Sequence, residues 1–319
     1  MPESVHVRAS DPLSDVLSIL NLRGTVFVRT EARSPWAISF PKGDARFHVI
    51  ERGNLVATVS GVKRPIRAVA GDMLVFPRGE GHIIADKVGR RALDLDTIVK
   101  KRRDSDARVL RVGGDGTRDT RLICGAYKLD RPGRDALLAV LPSVLHVQGR
   151  SGRLSGQVDL MMQLFLAEAH GTSAGSALCA ARLVDLILVH AIRDWLAKEP
   201  ANVGGWLGAM RDPHVGAALS RLHDAPAYPW TVEELSERVG LSRSPLAARF
   251  TALVGEPPLR YLTRWRMHLA SQMLRRGASV HETAERVGYQ SEAAFSRTFK
   301  KYMGKAPVKY RTRRQADEA

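Results

Sequence analysis

Cysteine is scarce in this sequence, with two residues among 319. Cys124 and Cys179 do not form a Cys-x-x-Cys pair, so nothing in the sequence supports a zinc ribbon or a thioredoxin-type redox site. The sequence also lacks a run of about 18 apolar residues, which a membrane-spanning helix would need. Because residues 1–11 have no apolar segment typical of a signal peptide, we expect a cytoplasmic protein with reduced thiols and no membrane partner.

Positive charge, by contrast, is in excess. The sequence has 49 Lys and Arg against 33 Asp and Glu, a formal net charge of +16. Residues 231–319 alone hold 17 basic and 9 acidic residues, which gives this segment +8. Such a balance favours a polyanionic partner, nucleic acid or an anionic membrane surface, with an acidic protein as the alternative. The hydrophobic fraction of 44% is ordinary for a globular protein, and a length of 319 residues suggests two domains.

The C-terminal part contains an internal repeat. Five residues recur 49 positions later: Phe250, Gly255, Pro258, Tyr261 and Arg264 return as Phe299, Gly304, Pro307, Tyr310 and Arg313. Residues 237–240, Glu-Arg-Val-Gly, recur 48 positions later at 285–288. A duplicated helical unit is therefore predicted.

Each copy of the repeat predicts two helices joined by a glycine turn. In the first copy Thr231 is placed to cap the first helix, Gly240 to end it, and Ser242 to cap the second helix. In the second copy Ser279 and Gly288 occupy the corresponding positions. This is the pattern of a helix-turn-helix, in which a tight turn lets the second helix enter the major groove of DNA.

The exposed faces of the two second helices form the predicted surface for double-stranded DNA. They carry Arg243, Ser244, Ala247, Ala248 and Arg249 in the first copy, and Gln290, Ser291, Glu292, Ala293, Ser296, Arg297, Lys300 and Lys301 in the second. Arg297 has the forked geometry for guanine, Glu292 could accept from cytosine N4, and the lysines suit phosphates. A continuous helix over residues 259–275 is predicted to fix the spacing of the two motifs.

These motifs together resemble a known family. The resemblance rests on Gly240-Leu-Ser, Leu246, Phe250, Gly255, Pro258, Tyr261-Leu, Arg264, Arg266 and Ala270, then Ala284-Glu-Arg-Val-Gly-Tyr, Phe295-Ser-Arg-Thr-Phe-Lys-Lys, Gly304, Pro307 and Tyr310-Arg. They are similar to the AraC/XylS family of bacterial transcription regulators over about residues 225–315. The resemblance implies two recognition helices in successive major grooves, with base contacts from the positions of Ser244, Ala247, Ala248, Glu292, Ala293 and Arg297. The short Ala247 and Ala248 depart from the long polar residues that are common there, and apolar contact with thymine methyl groups is the alternative.

In the N-terminal half, Asp11-Pro12 predicts a helix start with Asp11 as the cap. Short β-rich segments follow between residues 25 and 76, separated by Gly and Pro, and predict a small antiparallel barrel. Gly71, Pro77, Gly79 and His82 have a spacing that resembles the second signature of the cupin barrel, and His48 lies where the first signature would end. In cupin-type members of the family this domain binds the effector. Trp36, Phe40, His48 and His82 are the candidate residues for a small-molecule effector.

Metal-binding cupins also have a His-x-His pair, which this sequence lacks. We therefore interpret His82 as a structural or effector-contacting residue, with a metal site that includes His48, Asp86 or Cys124 as the alternative. No motif for nucleophilic catalysis, paired carboxylates or phosphate binding is present. A binding protein without a required cofactor is thus favoured over an enzyme.

Three further segments admit two interpretations each. Residues 87–111, with the basic run 100–103, are interpreted as a solvated loop rather than a second DNA contact. Cys124 is interpreted as a buried thiol on a strand rather than a redox sensor. Helical structure is predicted from Ala136 onward, up to a boundary at residues 198–205. Within it, amphipathic helices predicted over residues 154–169 and 177–197 have more apolar surface than one hairpin can bury, which favours a homodimer over packing on the sensor alone.

The sequence therefore predicts an α+β protein. It comprises a cupin-like effector-binding and dimerisation domain at residues 1–200 and a helical connector at 201–224. An all-α DNA-binding domain at residues 225–319 contains two helix-turn-helix motifs and their linker helix. The expected function is sequence-specific transcription regulation, with RNA polymerase as a partner if the protein is an activator. The alternative is a cupin metalloenzyme fused to a DNA-binding domain.

Overall fold

The computed structural model describes residues 12–19, 23–100, 109–117, 119–128, 141–149, 156–198 and 205–311. It divides into two compact units. The sheet unit contains residues 22–129 and 141–198, and the helical unit contains residues 1–21, 130–140 and 199–319. Several predictions fall outside the described residues: the cap Asp11, the basic residues 101–103, helical structure at 136–140 and 154–155, the boundary at 199–204, and Arg313.

Two β-sheets form the framework of the sheet unit. Its strands are β1 (Arg23–Arg33), β2 (Ala37–Phe40), β3 (Ala45–Arg52), β4 (Asn54–Val59), β5 (Ile66–Val69), β6 (Met73–Phe76), β7 (His82–Ala85), β8 (Leu93–Asp94), β9 (Val109–Gly113), β10 (Asp119–Lys128) and β11 (Leu145–Val147). One sheet has the order β11-β6-β3-β10-β1-β9 and the other β5-β4-β7-β2-β8. The predicted β-rich runs between residues 25 and 76 all lie in strands.

The sequence-based description of this unit was wrong in three details. The strands form two separate sheets instead of one closed barrel, and the pairs β1–β9 and β2–β8 are parallel. The predicted loop at 87–111 contains β8, a helix α2 (Leu95–Lys100) and the start of β9. The segment after residue 136, predicted to be helical, includes β11. Short strands paired at a sheet edge have too few residues to show the alternation that identifies a strand in sequence.

Buried side chains from both sheets form one apolar cluster, which includes Trp36, Phe40, Ile50, Phe76 and Cys124. Two long helices, α3 (Gly156–His170) and α4 (Ser176–Lys198), lie close to the residues predicted for them. Helix α4 packs on the six-stranded sheet, where the Tyr127 hydroxyl donates to the Val184 carbonyl at 3.0 Å.

The helical unit begins with α1 (Pro12–Ile19). Its other helices are α5 (Gly205–Ala209), α6 (Pro213–Asp224), α7 (Val232–Arg238), α8 (Arg243–Val254), α9 (Pro258–Arg275), α10 (Val280–Arg286), α11 (Glu292–Met303) and α12 (Pro307–Arg311). The pairs α7–α8 and α10–α11 are the two predicted helix-turn-helix motifs, and α9 is the predicted linker. Gly240 and Gly288 follow the first helix of each pair with φ of 70° and 82°, the left-handed conformation that favours glycine.

All three predicted cap positions are confirmed, but only two of the three side chains make the capping hydrogen bond. The Thr231 hydroxyl accepts from the Glu234 amide at 3.1 Å, and the Ser279 hydroxyl accepts from the Glu282 amide at 3.1 Å. Ser242 has the extended backbone of a cap residue, but its side chain makes no capping hydrogen bond. The first recognition helix, α8, therefore begins without the hydroxyl cap that the sequence predicts.

Two separate hydrophobic cores stabilise the helical unit. The first contains Leu219, Leu222, Trp230, Leu235, Leu246, Phe250, Tyr261, Leu262 and Trp265. The second contains Met267, Ala270, Leu274, Val280, Ala284, Val287, Phe295 and Phe299. Helix α9 contributes its first half to one core and its second half to the other. Because α6 supplies Leu219 and Leu222 to the first core, part of the predicted connector packs together with the first motif.

The predicted α+β fold class is confirmed: the sheets lie in one unit, and the described residues of the other unit form helices without strands. Among the described residues, no helix is long and apolar enough to cross a membrane.

Candidate nucleic-acid interface and buried histidine–thiol chain

Helices α8 and α11, the recognition helices of the two motifs, bury one face and expose the other. Leu246 and Phe250 anchor α8 in the first core, and Phe295 and Phe299 anchor α11 in the second. The opposite faces carry the predicted DNA-contacting residues. Arg243, Ser244, Ala248, Arg249, Gln290, Ser291, Glu292, Ala293, Arg297, Lys300 and Lys301 are exposed, while Ala247 and Ser296 are half-buried. Burial of the aromatic anchors thus fixes which face of each helix is available to a ligand.

Arg249 differs from the other basic residues of the recognition helices because it has an acidic partner. Its Nε donates to the Asp212 carboxylate at 2.6 Å. The same carboxylate caps α6, where it accepts from the amides of His214 at 3.1 Å and Val215 at 2.9 Å. These bonds lower the pKa of Asp212 against the opposing effect of burial. Arg249 therefore joins α8 to α6, and its guanidinium is not free in the way that the sequence suggests.

The exposed face of α11 has more basic residues without an acidic partner than the exposed face of α8. Arg297, Lys300 and Lys301 form no ion pair with any other described residue. Glu292 lies at the start of this helix, and its Oε2 is 4.0 Å from Nδ1 of His281 in α10. Ser291 caps α11 by accepting from the Ala294 amide at 3.3 Å, so its hydroxyl has a structural role. Three unpaired cations on one helix face form a surface suited to phosphates and guanine.

A chain of hydrogen bonds runs through the interior of the sheet unit. Strand register brings Cys124 of β10 beside His48 of β3, and Phe40 of β2 beside His82 of β7. His48 Nδ1 lies 3.1 Å from Cys124 Sγ, and His48 Nε2 lies 2.9 Å from His82 Nε2. The His82 ring stacks on Phe76, with ring centroids 3.7 Å apart. Both imidazoles are buried among aromatic side chains.

The geometry of this chain fixes its protonation. Burial lowers the pKa of His82 to about 4, lowers that of His48 as well, and raises the pKa of Cys124 to about 12, so all three groups are neutral near pH 7. His82 Nδ1 must donate to the Glu80 carbonyl, 2.9 Å away, because a carbonyl only accepts. His82 Nε2 is then an acceptor, His48 Nε2 its donor, and His48 Nδ1 the acceptor of the Cys124 thiol hydrogen. One arrangement of hydrogens satisfies every bond.

The residues considered as metal ligands do not assemble a metal site. Cys124 and His82 contact opposite nitrogens of the His48 ring, so the three cannot face one ion in this conformation. The Asp86 carboxylate is bound by Arg90 at 2.9 Å and by the Ser34 hydroxyl. Within the part of the chain that the structure describes, no group of three His, Cys, Asp or Glu is arranged to hold a metal ion.

The four candidate effector residues lie together, but in the core. Phe40 stacks on His82 with ring centroids 4.9 Å apart, and His48 contacts His82. Trp36 belongs to the same cluster and is 3% exposed. The structure adds Phe76 as a neighbour of His82. Sequence reasoning named these four residues, and Cys124 as a possible metal partner of His82, and effector binding by them stays a prediction. Sequence reasoning missed the Asp212–Arg249 pair, for which the sequence Asp212-Pro213 signals a helix cap but not an ion pair.

Comparisons with known proteins match both units. The model of a cupin family matches residues 11–197, and that of a helix-turn-helix domain family matches residues 235–313. A putative AraC-like transcription regulator of Streptomyces lividans is 35% identical over 303 residues, which cover 94% of this chain and 98% of the relative. The regulator AlkR of Acinetobacter baylyi is 26% identical over 306 residues, covering 94% and 99%. The crystal structure of the AdpA DNA-binding domain with its target DNA is 30% identical, covers 33% of this chain and 96% of that one, and has a TM-score of 0.32.

A sheet unit of the cupin type followed by two helix-turn-helix motifs defines a DNA-binding regulator. The chain belongs to the family of AraC-like transcription regulators, since the relative from Streptomyces lividans matches it over nearly the full length of both proteins. The protein is therefore a sequence-specific DNA-binding transcription regulator, as the sequence motifs predict.

Proposed function

We propose that α11 supplies most of the base recognition and that α8 contributes mainly apolar and backbone contacts. The observation that carries this proposal is the difference between the two exposed faces in the number of basic residues without an acidic partner. On α11 the cations Arg297, Lys300 and Lys301 have no acidic partner among the described residues. On α8 the guanidinium of Arg249 is bound to Asp212, so Arg243 alone among the exposed cations of this face has no acidic partner among the described residues, and short alanines occupy the centre of the face.

The test begins with capture of sheared genomic DNA from the source organism by the purified full-length protein near physiological salt. Sequencing should show a few enriched, asymmetric sites. Arg297→Ala should then weaken binding to such a site by about 1 to 3 kcal/mol and relax one base position. Lys301→Ala, the control on the same helix, should weaken binding to all sequences similarly and lower the salt slope by about one. Equal losses on specific and random DNA for Arg297→Ala would contradict its role in base recognition.

We propose further that the sheet unit binds a small-molecule effector. The cupin match supports this, because small β-barrels and sandwiches of this kind commonly bind ligands between their sheets. Trp36, Phe40, His48 and His82 are the candidate residues. An effector changes DNA binding only if it has different affinities for two states of the protein. Isothermal titration of the wild type and of His82→Phe with candidate effectors tests this, and equal affinities would remove His82 from the site.

A homodimer is the proposed active form. Leu160 and Leu164 of α3 and Leu178 and Leu186 of α4 are each about half exposed or more, at 57%, 47%, 61% and 50%. Exposed leucines on both long helices form an apolar surface that a second copy of the chain would cover. The proposed location is the cytoplasm, and RNA polymerase is the proposed further partner if the protein activates transcription. The names of the relatives support a regulator over an enzyme.

A further inference from the structure

The segment between α6 and the first helix-turn-helix, residues 225–230, packs with the first motif and approaches the turn of the second. We call it the bridge. Its Trp230 is buried in the first core, and the Trp230 indole donates to the Ala225 carbonyl at 3.0 Å. Backbone hydrogen bonds from Tyr228 to Ala225 at 3.2 Å and from Trp230 to Tyr228 at 2.8 Å hold the segment in a compact turn. The bridge is thus fixed firmly to the first motif.

The linker helix holds the bridge from a second side. Arg266 of α9 donates through Nε to the Pro226 carbonyl at 2.6 Å and through its terminal nitrogen to the Tyr228 carbonyl at 2.8 Å. Burial lowers the pKa of this guanidinium. A forked guanidinium that binds two backbone carbonyls defines both the position and the angle of the bridge. Arg266 has no acidic partner in these contacts, so its role is geometric.

The second motif touches the bridge at its turn. A side chain at Gly288 would collide with the backbone of Ala227, including the carbonyl oxygen and Cα. The equivalent glycine of the first motif, Gly240, has open space around it. Both have positive φ, 70° for Gly240 and 82° for Gly288. The close approach at Gly288 is therefore a contact between the second motif and the bridge, and it is not required by the turn itself.

We propose that the bridge, held by Arg266 and pressed against Gly288, sets the distance and angle between the two recognition helices. It would thereby determine how many base pairs may separate the two parts of the DNA site. The two cores are distinct and α9 is the helix they share, so without the bridge their relative orientation would depend on bending and twisting of that one helix. This inference rests on the proposed function, since it requires both recognition helices to contact the same DNA.

The experiment measures the spacing that the protein tolerates. A site is first selected from random DNA with the full-length wild-type protein, and versions with one base pair inserted or deleted between its two halves are then compared by affinity. One base pair shifts the halves by about 3.4 Å and rotates them by about 35°. The wild type should prefer the parental spacing by at least about tenfold, the cost of a mismatched contact. In Arg266→Met, which removes the fork, this preference should fall below about threefold.

Matched controls separate orientation from stability. Arg264→Met alters the same helix, but Arg264 pairs with Glu256 at 2.6 Å and does not contact the bridge, so its spacing preference should equal that of the wild type. Gly288→Ala and Gly240→Ala impose similar backbone strain, yet only the first displaces the bridge. Gly288→Ala should therefore flatten or shift the spacing preference, and Gly240→Ala should not. If Arg266→Met fails to fold, Arg266→Lys and the glycine pair provide the same comparison.

The results distinguish the two levels of inference. If Arg266→Met and Gly288→Ala each lose affinity equally at all spacings, the bridge does not set the orientation of the recognition helices. A wild-type protein that binds all spacings equally well would overturn the proposal in the same way. Failure of the wild type to enrich any site would instead contradict the proposed base recognition and remove the basis of this inference with it.

Discussion

The buried histidines of the sheet unit should make that unit sensitive to mild acid. His82 is 3% exposed, and burial lowers its pKa from 6.5 to about 4 in the folded protein. The unfolded chain therefore binds a proton at this ring between pH 6.5 and 4 while the folded chain resists it. The stability due to the neutral ring is fully present above pH 6.5 and is lost as the pH falls toward 4.

The magnitude follows from this difference in pKa. At pH 4.5 nearly all unfolded chains carry the proton on His82, but only about a quarter of folded chains do, and the linkage relation gives a loss of roughly 2 kcal/mol between pH 7 and 4.5. His48, whose pKa is also lowered by burial, adds to the loss in the same direction. Folded-state pKa values of Asp72 and Asp86 lie below the usual range, so these carboxylates contribute mainly at lower pH.

Labelling of the Cys124 thiol reports local unfolding around the two histidines, because Cys124 is hydrogen-bonded to His48, which in turn is hydrogen-bonded to His82. The full-length protein is incubated across a urea series at pH 7 and at pH 4.5, then labelled briefly with 4,4′-dithiodipyridine, and the labelled fraction of Cys124 is measured by mass spectrometry. Cys179 is exposed and serves as an internal reference for the reagent. The urea concentration at which half of Cys124 is labelled should be lower at pH 4.5 than at pH 7. The difference should equal the predicted loss of unfolding free energy divided by the slope of that free energy against urea concentration.

Two variants test the cause. His82→Gln should be less stable at pH 7. Its unfolding free energy should also depend less on pH, because unfolding of this variant takes up as much as one proton fewer. His281→Gln is the matched control, because His281 is exposed in the helical unit and the same substitution there should leave the Cys124 transition unchanged. This account of the buried histidines would be refuted if the wild-type protein had the same free energy of unfolding at both pH values. It would also be refuted if His82→Gln kept the pH dependence of the wild type.

Three other predictions concern assembly and the helical unit. Leu164→Glu should weaken self-association at least about tenfold in analytical ultracentrifugation, while the exposed neighbour change Gln163→Glu should not; a monomeric wild type would contradict the proposed dimer. Phe299→Ala should destabilise the helical unit by about 3 to 5 kcal/mol in urea unfolding, because this ring is fully buried, and a loss under about 1 kcal/mol would contradict its place in the core. Asp212→Ala should lower the free energy of unfolding by about 1 to 2 kcal/mol and speed amide exchange in the first turn of α6, because its carboxylate caps that helix. A variant at its partner Arg249 keeps the cap and should leave that exchange slow.

The helix-turn-helix motifs could be predicted in detail from the sequence because their determinants are local. Caps such as Thr231 and Ser279 bond to amides three residues away, and glycines such as Gly288 end helices by their own backbone conformation. Ser242 shows the limit of this logic, since it occupies the cap position without making the bond. Local signals specify where a helix begins more reliably than which hydrogen bonds it uses.

Contacts between distant residues were not predictable in the same way. The His48–Cys124 contact depends on the register of β3 against β10, and His82 comes from the other sheet. The pair Asp212–Arg249 joins residues 37 positions apart on two helices, and Arg266 reaches 40 residues back to the Pro226 carbonyl. Composition and periodicity contain no information on such pairings, because each depends on how completed elements pack.

Helix α9 has one more consequence for a protein built from a repeated motif. Its residues Tyr261 and Trp265 belong to one core, and Met267 and Leu274 to the other. If either motif were removed, half of this helix would lose its apolar partners and face water. The duplication visible in the sequence is therefore not a pair of interchangeable modules, and the helical unit should unfold in a single cooperative transition.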